Sequence, residues 1–115
     1  MTKTIFKGSA MLNPVPVVLI TSKNKEGKTN VFTVGWIGMA CTKPPMITVA
    51  IRPDRLSYEY IKESGDFVVN LPNSRMVREV DYCGVRSGKQ IDKIHEMNFT
   101  IENGKDVIEI GRAHV

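Results

Sequence analysis

The sequence is poor in the residues that form disulfide frameworks and metal sites. It contains two cysteines, Cys41 and Cys83, and two histidines, His95 and His114, among 115 residues. Neither histidine stands at ligand spacing from a cysteine or from a pair of carboxylates, so we predict no metal site. Two widely separated cysteines without C-x-x-C spacing are typical of free thiols, which predicts a cytoplasmic protein.

Long apolar runs and nucleotide-binding signatures are also missing. No stretch approaches the roughly 20 apolar residues of a transmembrane helix, and the N-terminus lacks the apolar core of a signal peptide, so we expect no membrane association. The absence of G-x-G-x-x-G excludes a Rossmann site for a nicotinamide cofactor. No arrangement of nucleophile, histidine and acid is visible, and the catalytic residues stay unknown.

The composition indicates one small globular domain with a mildly basic surface. Hydrophobic residues make up 42% of the chain, and the formal charge is +4. The lysines and arginines are spread along the chain rather than clustered, which favours a small anionic ligand such as a phosphate over nucleic acid.

Short β-branched runs separated by turn residues are the dominant pattern of the chain. The predicted strands are Val17–Ser22, Thr29–Gly38, Met46–Ile51 as a buried strand, Asp66–Leu71, and a last hairpin of Phe99–Ile101 with Val107–Ile108. The segment Lys23–Lys28 is predicted to form a hairpin loop, in which Asn24 and Gly27 both tolerate positive φ. Gly35 and Gly38 inside a strand indicate a bulge or the close approach of another backbone.

Three short helices are predicted between the strands. They are Tyr58–Ser64, with Ser57 as N-cap and Gly65 as the C-terminal stop, then Ser74–Tyr82 and Ile91–Met97, with Cys83–Lys89 as a loop. This order of elements predicts a mainly antiparallel β-barrel with short connecting helices rather than a βαβ array.

Two segments carry polar groups suited to ligand binding. The first, Asn30–Arg55, has two apolar runs joined at Lys43-Pro44-Pro45 and polar residues at their ends. The second, Ser87-Gly88-Lys89, offers a hydroxyl, a flexible backbone N–H and a positive charge, the kinds of donor that a phosphate needs. Taken alone this motif is weak, because glycine is common in turns and lysine is common on surfaces.

The order of these motifs resembles a known family. The series N-x-x-T-x-x-W-x-G-x-x-C-x-x-P-P, followed by I-R-P-x-R-x-S-Y, D-F-V-V-N-L-P and Y-C-G-V-R-S-G-K, is similar to the flavin reductase-like family of FMN-binding split barrels, most of all to its flavoredoxin branch. The resemblance covers roughly residues 11–100. It implies a mainly β fold, an antiparallel Greek-key split β-barrel with short connecting helices.

The same resemblance implies an FMN site, with the flavin as cofactor. The cofactor-binding residues it indicates are Asn30, Thr33 and Trp36, then Arg55 and Ser57, then Ser87, Gly88 and Lys89, with Cys41 and Thr42 near the isoalloxazine ring and Asn70 on the far side. It further implies a flavin reductase or a flavoredoxin-like electron carrier, with NAD(P)H as a possible transient donor, a possible redox partner protein and a homodimer.

Other interpretations compete with these assignments. Trp36 fits core packing, Cys41 a small buried thiol, and Asn70 a turn residue at a strand end. For the whole chain, the alternative is a non-catalytic, OB-like basic β-barrel that binds nucleic acid, although its few aromatics are not spaced as a stacking platform.

The C-terminal residues Glu109–Val115 resemble the translation of a sequencing-library adapter. We therefore expect a domain over residues 1–109 that is incomplete at its C-terminus, followed by an artefactual tail over residues 110–115 that makes few native contacts. The alternative is a genuine short strand.

Overall fold

The structure is a computed structural model that describes residues 2–89, 91–97, 101–103 and 108–110. Its strands are β1 (Val18–Lys23), β2 (Thr29–Val34), β3 (Ile37–Thr42), β4 (Pro45–Val49), β5 (Val68–Asn70), β6 (Ile101–Asn103) and β7 (Ile108–Ile110). Its helices are α1 (Leu56–Ser64), α2 (Val77–Val85), which follows a 3₁₀ turn at Ser74–Met76, and α3 (Lys93–Glu96).

Strand β1 is the centre of the fold. It pairs antiparallel with β2 on one side and with β5 on the other, which gives a sheet in the order β2-β1-β5. Its residues from Val18 to Ser22 are all buried, because helices or loops cover both faces of the sheet. Strands β3 and β4 form a separate antiparallel ribbon, as do β6 and β7.

The two faces of β1 contribute to two apolar clusters. Leu19 and Val31 pack with helix residues on one face, namely Met76, Cys83 and Ile94. On the other face Val18 and Ile20 pack with Phe32 and Val34. Alternate side chains of a strand point to opposite faces, so this one strand links both halves of the core.

The loop between β1 and β2 was predicted correctly. Gly27 has a φ of 85°, which glycine adopts at little steric cost. The Asn24 side chain accepts hydrogen bonds from the backbone N–H groups of Glu26 and Lys28, at 3.0 and 2.9 Å, and so closes the turn.

Two strand predictions need correction. The run Thr29–Gly38 is not one strand, because the chain leaves the β1 sheet after Val34 and enters the β3–β4 ribbon at Ile37. Gly35 lies at this change. A Cβ there would make only ordinary contacts, with a Val15 methyl at 3.4 Å and the Pro16 carbonyl at 3.9 Å, and a Cβ at Gly38 would meet nothing within 4 Å, so neither glycine marks the close backbone approach that was expected. The run Met46–Ile51 is not a buried strand either, since a ribbon of two strands leaves most of β4 exposed.

The helix boundaries also differ from the prediction in part. Ser57 is not an N-cap but lies within α1, which begins one residue earlier, after Arg55. Gly65 ends this helix as predicted, with a φ of 76° and its N–H bonded to the Ile61 carbonyl at 2.7 Å. Helix α2 extends through Cys83 to Val85, so the predicted loop begins only at Arg86.

The last hairpin is shifted toward the C-terminus. Ile101 pairs with Ile110 and Asn103 with Ile108. Ile110 therefore lies in a paired strand, which corrects the expectation that it makes few contacts; alternating isoleucines favour extended backbone. The predicted partners Phe99, Thr100 and Val107, and the rest of the expected tail, lie outside the described residues.

Truncating the centre of β1 should destabilise the domain strongly. Leu19 is 0% exposed and packs into one core cluster, so Leu19→Ala should lower the free energy of unfolding by about 2–5 kcal/mol. Leu71→Ala is the matched control, because Leu71 is 82% exposed and its loss should change stability little. Urea unfolding of both variants measures the difference, and equal losses would contradict the core assignment.

Candidate functional site

A cleft of about 280 Å³ lies where β2, the start of α1, the end of α2 and the turn after it meet. It is lined by Asn30, Phe32, Thr33, Val34, Gly35, Trp36, Ala50, Ile51, Arg52, Arg55, Leu56, Ser57, Cys83, Gly84, Arg86, Ser87, Gly88 and Lys93. Seven of the eleven predicted site residues are in this set, and they come from three separate segments of the chain.

The floor of the cleft is a buried polar pair. Asn30 Nδ2 donates a hydrogen bond of 2.8 Å to Ser57 Oγ, and both side chains are buried. Buried amide and hydroxyl groups are costly without partners, so this bond fixes β2 and α1 relative to each other.

Gly88 lies directly on this pair. A Cβ at position 88 would overlap Asn30 Oδ1 and would lie 2.9 Å from a Leu56 methyl. Only glycine therefore lets the turn after α2 come this close to the floor. The close approach brings Ser87 to the edge of the cleft, where its hydroxyl oxygen accepts the Lys89 N–H at 3.2 Å.

Thr33 attaches the same wall to α2. Its hydroxyl donates a hydrogen bond to the Val80 carbonyl. A Cβ at Gly84 would lie 3.3 Å from Thr33 Cβ, so the helix sits tightly against β2 at this point. The proton of the Thr33 hydroxyl is thus donated inside the protein, and the residue forms part of the cleft wall.

The charged groups around the cleft are cationic. Arg55 is half-buried, whereas Arg86 is exposed, and no carboxylate of the described residues lies within ion-pair distance of either guanidinium. Arg52 at the rim pairs with Asp54 at 3.1 Å. Such a cluster favours an anion, because arginine presents a rigid set of donors that matches phosphate oxygens.

Lys93 is a buried cation in the same wall. It is 3% exposed, and its Nζ donates to the carbonyls of Cys83 at 2.9 Å and of Arg86 at 3.1 Å. Burial is the main cause that lowers the pKa of Lys93 to about 8; Cys83 opposes this shift and Arg55 adds to it. Burial also raises the pKa of the Cys83 thiol to about 11, so this cysteine is not a reactive thiolate near neutral pH.

Four predicted residues do not line the cleft. Cys41 and Thr42 lie at the far end of β3, where the Cys41 thiol donates to the Lys43 carbonyl at 3.3 Å. The Asn70 side chain donates to the Leu19 carbonyl at 3.0 Å and thus ties β5 to β1. Lys89 points to α1 and pairs with Glu59 at 3.4 Å.

Trp36 occupies the mouth of the cleft. It follows Gly35 in the short link between β2 and β3, and it is 56% exposed. Its backbone carbonyl accepts the Ala50 N–H at 2.9 Å, which holds the two sides of the mouth together. The competing interpretation, in which Trp36 packs in the core, does not hold.

The sequence analysis missed several residues that the fold brings to the cleft. Gly84 lies in the last turn of α2, which was expected to be a loop, and Arg86 directly follows that helix. Lys93 carried no signal that separated it from the other lysines, because a buried lysine is recognised only by its partners. Asp92 marks only where α3 begins, because its side chain accepts the His95 N–H as an N-cap.

Neither a metal centre nor a membrane span is found in the described part of the chain. Among these residues no three His, Cys, Asp or Glu side chains are grouped so that they could hold a metal ion. Across the same ranges no helix has the length and apolar character needed to cross a bilayer.

The motifs, the fold and the cleft can be compared with known proteins. Residues 10–114 match the sequence model of the Flavin reductase like domain. The chain belongs to this family. Among solved structures, the flavoredoxin of Desulfovibrio vulgaris (Miyazaki F) is similar with a TM-score of 0.89 and 28% identity, over 96% of this chain and 62% of that one. The flavoredoxin from Methanosarcina acetivorans is similar with a TM-score of 0.86 and 33% identity, over 96% and 59%.

The curated relatives extend well beyond the matched region. A protein of Archaeoglobus fulgidus is 32% identical over 96 residues, which are 84% of this chain and 53% of the relative. A protein of Pyrococcus abyssi is 29% identical over 88% of this chain and 57% of its own length. This chain thus spans little more than half the length of these two relatives. The structural neighbours confirm the predicted fold class, a mainly β split barrel with short helices.

A side chain at position 88 should disturb the floor of the cleft. Gly88→Ala should lower the free energy of unfolding by about 1–3 kcal/mol, because the added methyl overlaps the Asn30 side chain. Gly38→Ala is the control, since a Cβ there meets nothing within 4 Å. Urea unfolding distinguishes the two, and a Gly88→Ala variant as stable as Gly38→Ala would show that the floor has room.

The depressed pKa of Lys93 should make stability rise in mild alkali. From about pH 8 up to the ordinary value of 10.5, the unfolded chain binds more protons at Lys93 than the folded one, so the free energy of unfolding rises with pH. The raised pKa of Cys83 acts in the opposite direction between pH 9.0 and about 11. The rise is therefore clearest between pH 8 and 9.

Urea unfolding of wild type and Lys93→Met at pH 7, 8 and 9 measures this effect. Of these two proteins, the wild type should gain stability over this range and Lys93→Met should not. Lys28→Met removes a lysine at an exposed position and should keep the wild-type dependence. A parallel dependence in all three proteins would mean that Lys93 is not the titrating group.

Proposed function

We propose that the cleft binds FMN by its phosphate and that the protein is a flavin-dependent oxidoreductase, either an NAD(P)H:flavin reductase or a flavoredoxin-like electron carrier. The observation that carries the proposal is the contact of Gly88 with the Asn30–Ser57 pair. Ser87 and Arg55 line the same cationic cleft, and membership of the flavin reductase-like family supports a flavin as the anion.

The size and donors of the cleft fit one end of a flavin nucleotide. At about 280 Å³ it is just below the ~300 Å³ at which ligand pockets for drug-sized molecules begin. It therefore suits the phosphate and the ribityl chain, and Trp36 would stand near the isoalloxazine ring. Ser87, the Gly88 backbone and Arg55 would hold the phosphate through charge-assisted hydrogen bonds.

The residues of the chain bind and orient rather than react. Bound FMN supplies the hydride and single-electron chemistry, and the protein sets its position and surroundings. The apolar residues Ala50 and Ile51 at the cleft would exclude water from one side of the ring. NAD(P)H, if it is the donor, would dock transiently over the exposed face of the ring.

The proposal also includes a homodimer, a possible redox partner protein and a cytoplasmic location. The β3–β4 ribbon supports association, because Met39 is 73% exposed and Met46 and Ile47 are also exposed on it. Sedimentation with and without FMN tests the dimer, and a monomer under both conditions would remove this part of the proposal.

Flavin uptake tests the central proposal directly. The 115-residue chain, and a version extended to the length of its relatives, are incubated with FMN, and visible absorbance and mass spectrometry of the released ligand are recorded. We expect uptake of one FMN per chain, followed by bleaching of the absorbance when an electron donor is added. The proposal fails if both proteins remain colourless.

Removing the half-buried arginine should weaken binding through the phosphate alone. Arg55→Ala should cost about 1–3 kcal/mol in FMN affinity, because a charge-assisted contact is lost. Riboflavin, which lacks the phosphate, should bind Arg55→Ala and wild type equally. Arg78→Ala removes the same charge at an exposed position outside the cleft and serves as the control. Fluorescence titration measures all three proteins, and an unchanged Arg55→Ala affinity would place the phosphate elsewhere.

A further inference from the structure

Lys93 is the one described lysine that is both buried and part of the cleft wall. Its side chain leaves α3 and reaches back to the C-terminal end of α2. There its Nζ bonds two carbonyls, those of Cys83 and Arg86, at 2.9 and 3.1 Å. Burying the ammonium group of a lysine costs free energy, and an apolar side chain at position 93 would fill the same space without that cost. The ammonium therefore requires a reason other than packing.

The two carbonyls belong to a helix end that needs partners. The last four carbonyls of an α-helix lack intrahelical donors, and a cation there is also favoured by the helix dipole. Lys93 supplies a donor to Cys83 in the last turn of α2 and a second donor to Arg86, just beyond it. One side chain thus fixes the direction in which the chain leaves the helix.

The segment fixed in this way is the one that reaches the floor of the cleft. Directly after Arg86 come Ser87 and Gly88, and Gly88 rests on Asn30. The Ser87 carbonyl accepts the Ile91 N–H at 3.3 Å, which closes the turn on its far side. The turn 86–89 is therefore held at Lys93 and at Gly88, with the donors for an anion between these two points.

We propose that Lys93 is a positioning residue for the FMN phosphate: its ammonium, bonded to the Cys83 and Arg86 carbonyls, holds the turn that carries Ser87 and Gly88. The inference rests on the proposed function, because it assigns a role toward the same ligand. Lys93 acts here through the backbone of the turn, and its charge adds to the positive potential of the cleft.

The surroundings of Lys93 determine how this role depends on pH. The ionisable groups that act on Lys93 are Cys83 of α2 and Arg55, which directly precedes α1. Glu79 of α2 acts on Cys83, and Arg86 contacts Lys93 through its carbonyl. Its own helix region carries Asp92, His95 and Glu96, and β2 has no ionisable residue. A dianionic ligand nearby would favour the protonated lysine. Ligand affinity should therefore fall as the pH rises through about 8. This is opposite in sign to the rise in stability expected over the same range.

The first experiment compares FMN and riboflavin affinities of wild type, Lys93→Met and Lys93→Arg at pH 7 and pH 9.5. Lys93→Met should bind FMN about tenfold more weakly than wild type at pH 7, with riboflavin affinity unchanged within about twofold. Wild-type FMN affinity should fall between the two pH values. Lys93→Arg, which keeps its charge, should hold FMN at both. Lys28→Met controls for the loss of one surface charge.

Each outcome decides the proposal. If Lys93→Met binds FMN as wild type does, Lys93 does not position the phosphate. If that variant fails to fold, the wild-type and Lys93→Arg pH profiles still decide, since identical profiles would overturn the role. Equal losses of affinity for FMN and riboflavin would overturn the role toward the phosphate, because they would show that the substitution disturbs the structure in general.

A second measurement separates this inference from the proposed function. Hydrogen exchange of the ligand-free proteins at one pH reports on the Lys89 and Ile91 amides, which bond within the turn. They should exchange faster in Lys93→Met than in wild type, while β1 amides keep their protection. If wild type binds no FMN at any pH, the proposed function and the role toward FMN both fail. The exchange rates then decide whether Lys93 holds the turn, and unchanged rates would overturn that as well.

Discussion

The contact of Gly88 with the Asn30–Ser57 pair is the constraint on which the cleft depends. It joins β2, the first turn of α1 and the turn after α2, which are far apart in sequence. The Asn30 amide donates to the Ser57 hydroxyl in a buried place, and Gly88 has no side chain that would overlap Asn30. With this contact in place, the cations and hydroxyls of three segments face one space.

The core that supports this contact is organised by one strand. Because β1 is buried on both faces, its side chains link the cluster under α2 and α3 to the cluster under α1. Asn70 adds a bond from β5 to the Leu19 carbonyl. The pairing of β2 with β1 fixes the positions of the site residues in β2, since Asn30 lies opposite Ser22 and Thr33 lies opposite Leu19.

Local patterns predicted much of this fold, and long-range contacts account for what they missed. Alternating β-branched residues located β1 and β2, and Gly27 and Gly65 marked positive φ. The division of Thr29–Gly38 between two sheets depends on which strand each half pairs with, and the sequence does not carry that information locally. Likewise the apolar run of β4 suggested burial, although an isolated ribbon leaves it exposed. For the site, the motifs indicated Arg55, Ser57, Ser87 and Gly88, whereas Lys93 is recognisable only by the two carbonyls that it reaches.

The position of Trp36 gives the protein an internal optical probe. It is the single tryptophan of the chain, and it stands half exposed at the mouth of the cleft rather than in the core. Its emission therefore reports on the polarity and occupancy of that one place, without a label and without background from other indoles. Any aromatic molecule that settles beside it changes its fluorescence, whatever its chemical class, so the cleft can be screened against compounds that are themselves colourless.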